Sequence, residues 1–163
     1  MSLLDAPAYD VQKAKLQRMA LAGAAIAFAL LVLLTLAGFL LGHGWLFTDL
    51  PAEHKVDKFF DALEAKDYSK AYALYTNDPD FAQHADKHKN YPLDRFTEDW
   101  TTASPVDAPI TSHHVDISKT DGSGTFGTGI IVAVTINGNK KLFMWYQKSD
   151  GTMTEPAPHE LQY

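Results

Sequence analysis

The stretch that most restricts this chain is Met19–Phe47, MALAGAAIAFALLVLLTLAGFLLGHGWLF, which carries no Asp, Glu, Lys or Arg. A helix rises about 1.5 Å per residue, so Met19–Leu41 would reach roughly 34 Å, against a bilayer hydrocarbon core of about 30 Å. Its Leu, Ile, Val and Phe side chains favour insertion by on the order of 5 kcal/mol in total, and no charge opposes them. A helix in the core of a soluble protein would be shorter and would show a polar stripe. The stretch therefore reads as a transmembrane helix, and its length exceeds the apolar core of a cleaved signal peptide.

That helix divides the chain into three. Residues 1–18 form a short cytoplasmic tail, residues 19–47 the span and its interfacial end, and residues 48–163 an extracytoplasmic α+β domain. Lys13, Lys15 and Arg18 precede the span and Lys55 and Lys58 follow it, a small positive-inside bias. It places the N-terminus inside and the head outside, which in a Gram-negative cell means an inner-membrane, single-pass protein with a periplasmic domain. The lipid bilayer is thus the first expected partner.

Charge and composition exclude several functions. The net charge is −6 and the head has no dense basic patch, so a nucleic-acid partner is not expected. The chain contains no Cys, which removes disulfides, thiolate metal sites and a Cys nucleophile. Glycines 122, 124, 127 and 129 lead into no helix and make no phosphate loop. No cofactor is expected.

Within the span, Ala20, Gly23, Ala24 and Ala27 make one half thin, and such spacing admits close approach of another helix in lipid. Trp45 and Phe47 fall at the depth of an interfacial aromatic belt. Thr48 or Asp49 then caps a helix in which Val56, Phe59, Phe60 and Leu63 recur at i, i+3, i+4, i+7. A tight turn at Lys66–Ser69 leads to a second helix packing through Ala71, Tyr72, Leu74 and Tyr75, with Ser69 as its expected cap. Asn77–Asp80 ends it. Leu93, Phe96 and Trp100 mark a third helix.

The remainder reads as strand. Ile110–Ser118 alternates, with His113, Val115 and Ile117 assigned to one side and His114 and Asp116 to the other. Phe126–Ile136 and Leu142–Gln147 flank Asn137-Gly138, a strong hairpin signal, and Thr152–Glu155 adds a short edge. A two-residue loop would pair Ile136 with Asn139. Ile130, Val132, Val134, Phe143 and Trp145 then share one face, and Ile131, Ala133, Leu142, Met144 and Tyr146 the other. Both faces are apolar, so both should be covered: one by helices, the other by a partner or a second copy of the chain. Ile131, Leu142, Met144 and Tyr146 are the expected contact set on that second face.

The stretch VDKFFDALEAKDYSKAYALY, Val56–Tyr75, resembles the opening of the nuclear-transport-factor-2-like superfamily, which includes ketosteroid-isomerase-like and SnoaL-like domains. LDRFTEDW, Leu93–Trp100, resembles its third helix. The resemblance spans about Val56–Glu155 and implies a cystatin-like cone: two to three helices on a curled antiparallel sheet of about four strands. That superfamily hosts enzymes, ligand binders and assembly modules on one scaffold. In its enzymes an acidic base and a tyrosine donor occupy the mouth of the cone, which implies a candidate pocket of Tyr72, Tyr75, Tyr91, Asp99 and His113 here. In layout alone, the chain also resembles the small membrane-anchored assembly factors of cytochrome oxidase.

Each candidate also has a plain structural reading. Tyr72 and Tyr75 suit a core with their hydroxyls at its rim, and Asp99 suits the solvated side of its helix. His84 and His88 stand at i, i+4, and Asp86 or His114 could join them, but two imidazoles beside Lys87 and Lys89 describe a solvated face better than a metal centre. No catalytic or metal-binding residue is assigned. The expected function is a membrane-anchored, non-catalytic binding or assembly module, an accessory subunit of a larger membrane complex or a self-associating pair. The alternative is a tethered enzyme or small-molecule binder using the cone interior.

Overall fold

The structure is a computed structural model, and it describes residues 10–45, 47–121 and 127–163. The expected turn at Asp121–Gly124 lies mostly outside the described residues. Two compact units divide near Ala37 and Gly38. The first holds most of α1 (Val11–Leu40), a 30-residue helix that is long and apolar enough to cross a membrane. None of its residues is buried. It begins at Val11, so the basic stretch Lys13–Arg18 continues directly into the apolar one.

The second unit is α+β. Its helices are α2 (Asp49–Glu64), α3 (Tyr68–Thr76), the one-turn α4 (Ala85–His88) and α5 (Leu93–Asp99), with a 3-10 turn at Phe81–Gln83. The strands β1 (His113–Thr120), β2 (Gly129–Ile136), β3 (Lys140–Gln147) and β4 (Met153–Thr154) follow. They form an antiparallel meander in the order β1-β2-β3-β4.

The α2 stripe is buried as its spacing requires: Val56, Phe59, Phe60 and Leu63 all lie in the core. Lys66 turns the chain at φ 57°, and Asp67, rather than Ser69, caps α3 by accepting the Lys70 amide at 3.0 Å. Asn77, at φ 53°, closes α3 in the left-handed region that Asn tolerates. Aromatic rings then fill the space between helices and sheet, with Phe59 edge-on to Trp100 at 5.0 Å and Tyr72 edge-on to Phe96 at 5.3 Å. Lys55 ties α2 to the rest, donating to Asn77 Oδ1 and to the Gly151 carbonyl, both at 2.6 Å. Burial lowers its pKa.

The hairpin register corrects the sequence reading. Ile136 pairs with Lys140 and Val132 with Met144, so the loop contains three residues, Asn137, Gly138 and Asn139. Asn137 explains the longer loop. Its side-chain oxygen accepts the amides of Thr111 and Ser112, and its side-chain amide donates to the Pro109 carbonyl, so it is spent holding the entry to β1. Because side chains alternate with a period of two, one residue of slip exchanges the faces of β3. Leu142 and Met144 therefore lie in the core and Tyr146 packs against it, whereas Phe143 and Trp145 pair with Ala133 and Ile131 on the outer face. Of the expected outer contact set, only Ile131 lies on the outer face.

A second irregularity lies in β1. The register shifts between Val115 and Ile117, a bulge at Asp116 that moves Ile117 to the outer face opposite Ala133.

That outer face is covered by the chain itself. Ile131 and Ala133 are fully buried there, apart from the main core. After the cis Glu155–Pro156 bond, Ala157 donates to the Phe143 carbonyl at 2.7 Å. Tyr163 then reaches Asp116 at 2.5 Å, with Lys141 Nζ lying 3.7 Å from its ring centroid. Asp116 also accepts from Thr135 at 2.6 Å, which fixes the tail on the outer side. Trp145 lies over Gly129, where an added Cβ would stand 2.2 Å from the indole.

Candidate functional site

Three of the five expected pocket residues meet. Tyr75 from α3, Tyr91 from the turn before α5, and Asp99 from the end of α5 line a cavity of about 170 Å³ with Trp100, Ala103, Pro105 and Glu155. The Tyr75 and Tyr91 rings stand 6.1 Å apart, and Tyr75 and Trp100 6.4 Å. Asp99 accepts from Arg95 Nε at 3.0 Å. It faces the cavity while also pairing along its own helix.

The electrostatics keep the phenols protonated. Burial raises the pKa of Tyr91, and the hydrogen bond to Asp99 adds to it. Burial likewise raises Tyr75, helped by the charges of Glu155 and Asp99 and opposed by a backbone hydrogen bond from Glu155. Glu155 is itself pushed up by burial. The cavity thus offers carboxylates as acceptors between aromatic walls, and its phenols serve as donors rather than bases. Trp100 appears in the sequence pattern of α5. Glu155 gave no signal, because it reaches the cavity only through the turn that follows β4.

Tyr72 and His113 lie elsewhere. Tyr72 is fully buried and donates to the Tyr91 carbonyl at 2.5 Å, so it positions Tyr91's backbone from beneath. His113 sits between α2 and β1. Its Nδ1 faces Glu64 Oε1 at 2.6 Å, its Nε2 faces Asp57 Oδ1 at 3.0 Å, and its ring lies 5.5 Å from Phe60. A carboxylate thus faces each nitrogen of the ring and holds it between α2 and β1.

His84 and His88 also find an acid, but it is neither Asp86 nor His114. Asp78 takes His84 Nδ1 at 2.7 Å and His88 Nε2 at 3.0 Å, which binds the end of α3 to α4. These bonds hold the Asp78 carboxyl below its ordinary pKa, the one from His88 most strongly. Among the described residues, no group of three or more His, Cys, Asp or Glu is arranged to hold a metal ion.

The small residues Ala20, Gly23, Ala24 and Ala27 share one exposed face of α1, and a Cβ added at Gly23 would meet nothing within 4 Å. No known protein family, curated protein or solved structure matches the chain.

Proposed function

We propose that this chain is a single-pass membrane protein whose head acts as a non-catalytic binding or assembly module, either an accessory subunit of a larger membrane complex or a self-associating pair. The observation that carries the reading is α1: 30 residues of which none is buried, uncharged from Met19 onward. In water, that much exposed apolar surface would drive aggregation, whereas lipid satisfies it.

Two features of the head support an assembly role over a catalytic one. Its interior is filled by Phe59, Phe60, Tyr72, Phe96 and Trp100 rather than hollow. Its histidines 43, 84, 88 and 113 are engaged with carboxylates. In this reading the head belongs with the nuclear-transport-factor-2-like cones, stands on the periplasmic or extracellular side of an inner membrane, and meets its partner through the Gly23 face of the span. Co-purification from native membranes in mild detergent tests the proposal. A defined partner, or a second copy, should travel with the chain and be lost on Gly23→Leu with Ala27→Leu. Recovery of the monomer alone, unchanged by those substitutions, would reject it.

A second reading follows from the cavity formed by Tyr75, Tyr91, Asp99, Trp100 and Glu155, which suits a small molecule able to donate to carboxylates between aromatic rings. Chemical-shift or fluorescence titration with small amines and alcohols, abolished by Tyr91→Ala, would favour it.

A further inference from the structure

The residues that leave α1 are part of the head, and what they expose indicates what the head rests on. Gly42 accepts the Ser118 amide at 3.0 Å, adding to the free edge of β1, and a Cβ at Gly42 would stand 2.8 Å from Ile117 Cγ2. His43 Nδ1 lies 2.8 and 3.0 Å from the two carboxylate oxygens of Glu53. The Trp45 carbonyl takes the amides of Thr48 and Asp49 at 3.1 and 2.8 Å, and the Trp45 ring stands edge-on to Phe39 at 5.1 Å. The junction is therefore anchored to β1 and α2 at every few residues.

Its outward side is apolar. Leu41 is 69% exposed, Trp45 51%, Phe47 72% and Leu50 39%. Single exposed apolar residues are ordinary, but four within ten positions, two of them large aromatics, are not. Two of the nearby acids are withdrawn from solvent: Asp49 is 1% exposed, bonded by Thr48 and packed on Gly44, and Glu53 is 7% exposed and paired with His43. Along α2, Leu50 is followed at helical spacing by exposed His54 and Lys58 and by the half-exposed Asp57, which is paired with His113.

We propose that the Leu41, Trp45, Phe47 and Leu50 surface is a lipid-docking face, seated at the boundary between head groups and acyl chains, so that the head lies against the bilayer instead of hanging from a free tether. The inference rests on α1 spanning the membrane. Lipid is the occupant because the chain enters this surface directly from the apolar helix. Trp and Phe favour the interface, and the burial of Asp49 and Glu53 lessens repulsion from anionic head groups.

The absence of Cys makes single-site labelling direct. The full chain with Leu50→Cys, Phe47→Cys, Leu31→Cys or Lys70→Cys is labelled with an environment-sensitive fluorophore. Each is reconstituted in phosphatidylcholine–phosphatidylglycerol vesicles and titrated with brominated lipid. Labels at 47 and 50 should be quenched about twofold and blue-shifted, that at 31 more strongly, and that at exposed Lys70 not at all. Leu50 decides, since it belongs to α2 and a dangling head would leave it in water. Quenching at 31 with Leu50 behaving like Lys70 overturns docking while leaving the span intact. No quenching at 31 overturns the span and docking together. Protection of Leu50 seen in native membranes but not in these protein-free vesicles assigns the face to a protein and overturns the lipid proposal.

Discussion

Two stretches of this chain are almost equally apolar and are used in opposite ways. The run in α1 buries none of its residues, whereas in β2, GIIVAVTI, every residue except Thr135 is buried. The difference is one of available covering. A 30-residue helix presents more surface than one small head could cover, and it satisfies its own backbone, so lipid suits it. An eight-residue strand must pair its backbone with neighbours, and those neighbours bring side chains to both of its faces. Apolarity specifies withdrawal from water. Backbone hydrogen bonding decides into what.

The same charge placed in each stretch should have opposite consequences. Val132→Lys leaves an unpaired charge in the core and should abolish folding of the head, a loss above about 4 kcal/mol, seen as collapse of the thermal unfolding transition. Leu31→Lys should leave the head folded while weakening insertion by about 3 kcal/mol, read as chain released from membranes on fractionation.

Within the head, Phe59→Ala should cost about 3–5 kcal/mol in denaturant unfolding, as expected of a large ring in a packed core. The informative partner is Ile131→Ala on the outer face. Because Ile131 is fully buried although it lies outside the main core, the cost should be about 2–4 kcal/mol rather than the few tenths of an open surface. Tyr163→Phe removes the bond to Asp116 at a half-exposed position and should cost below about 1 kcal/mol.

The smallest effects concern acid, and two carboxyls should act in opposite directions. Asp78 titrates lower when folded, so its contribution is present above its unfolded pKa and is lost as pH falls below about 4, through the depressed folded value. Asp78→Asn should flatten the stability profile there. Glu155 titrates higher when folded, so stability declines as pH rises above about 4.5, through the raised value. Glu155→Gln should remove that decline and leave the head slightly more stable at neutral pH. Melting temperature against pH for both variants tests both signs.

The legibility of the chain follows the range of the interactions involved. The α2 stripe, the Asn77 stop, the three-helix order and the hairpin are local, and each can be read from spacing. The faces of β3 were not, because Asn137 is committed to Thr111, Ser112 and Pro109 across more than twenty residues of chain, and that sets a three-residue loop. The Asp116 bulge was hidden for the same reason, since it depends on pairing with β2. At the candidate site, Tyr75, Tyr91 and Asp99 converge as expected, but His113 is drawn away by Asp57 and Glu64, and Glu155 arrives from the opposite end of the head.

By itself, then, the sequence determined that one helix is long and apolar enough to cross a membrane, that an α+β head follows it, and which side of α2 faces inward. These depend on periodicity and on free energies of transfer, which belong to individual residues and short segments. Only the tertiary structure decided which face of the sheet is the core, that Tyr163 returns to Asp116 on the other, and which acids His43, His84, His88 and His113 find. Those outcomes depend on register and on contacts between residues far apart in the chain, and no local pattern encodes a distance that only folding creates.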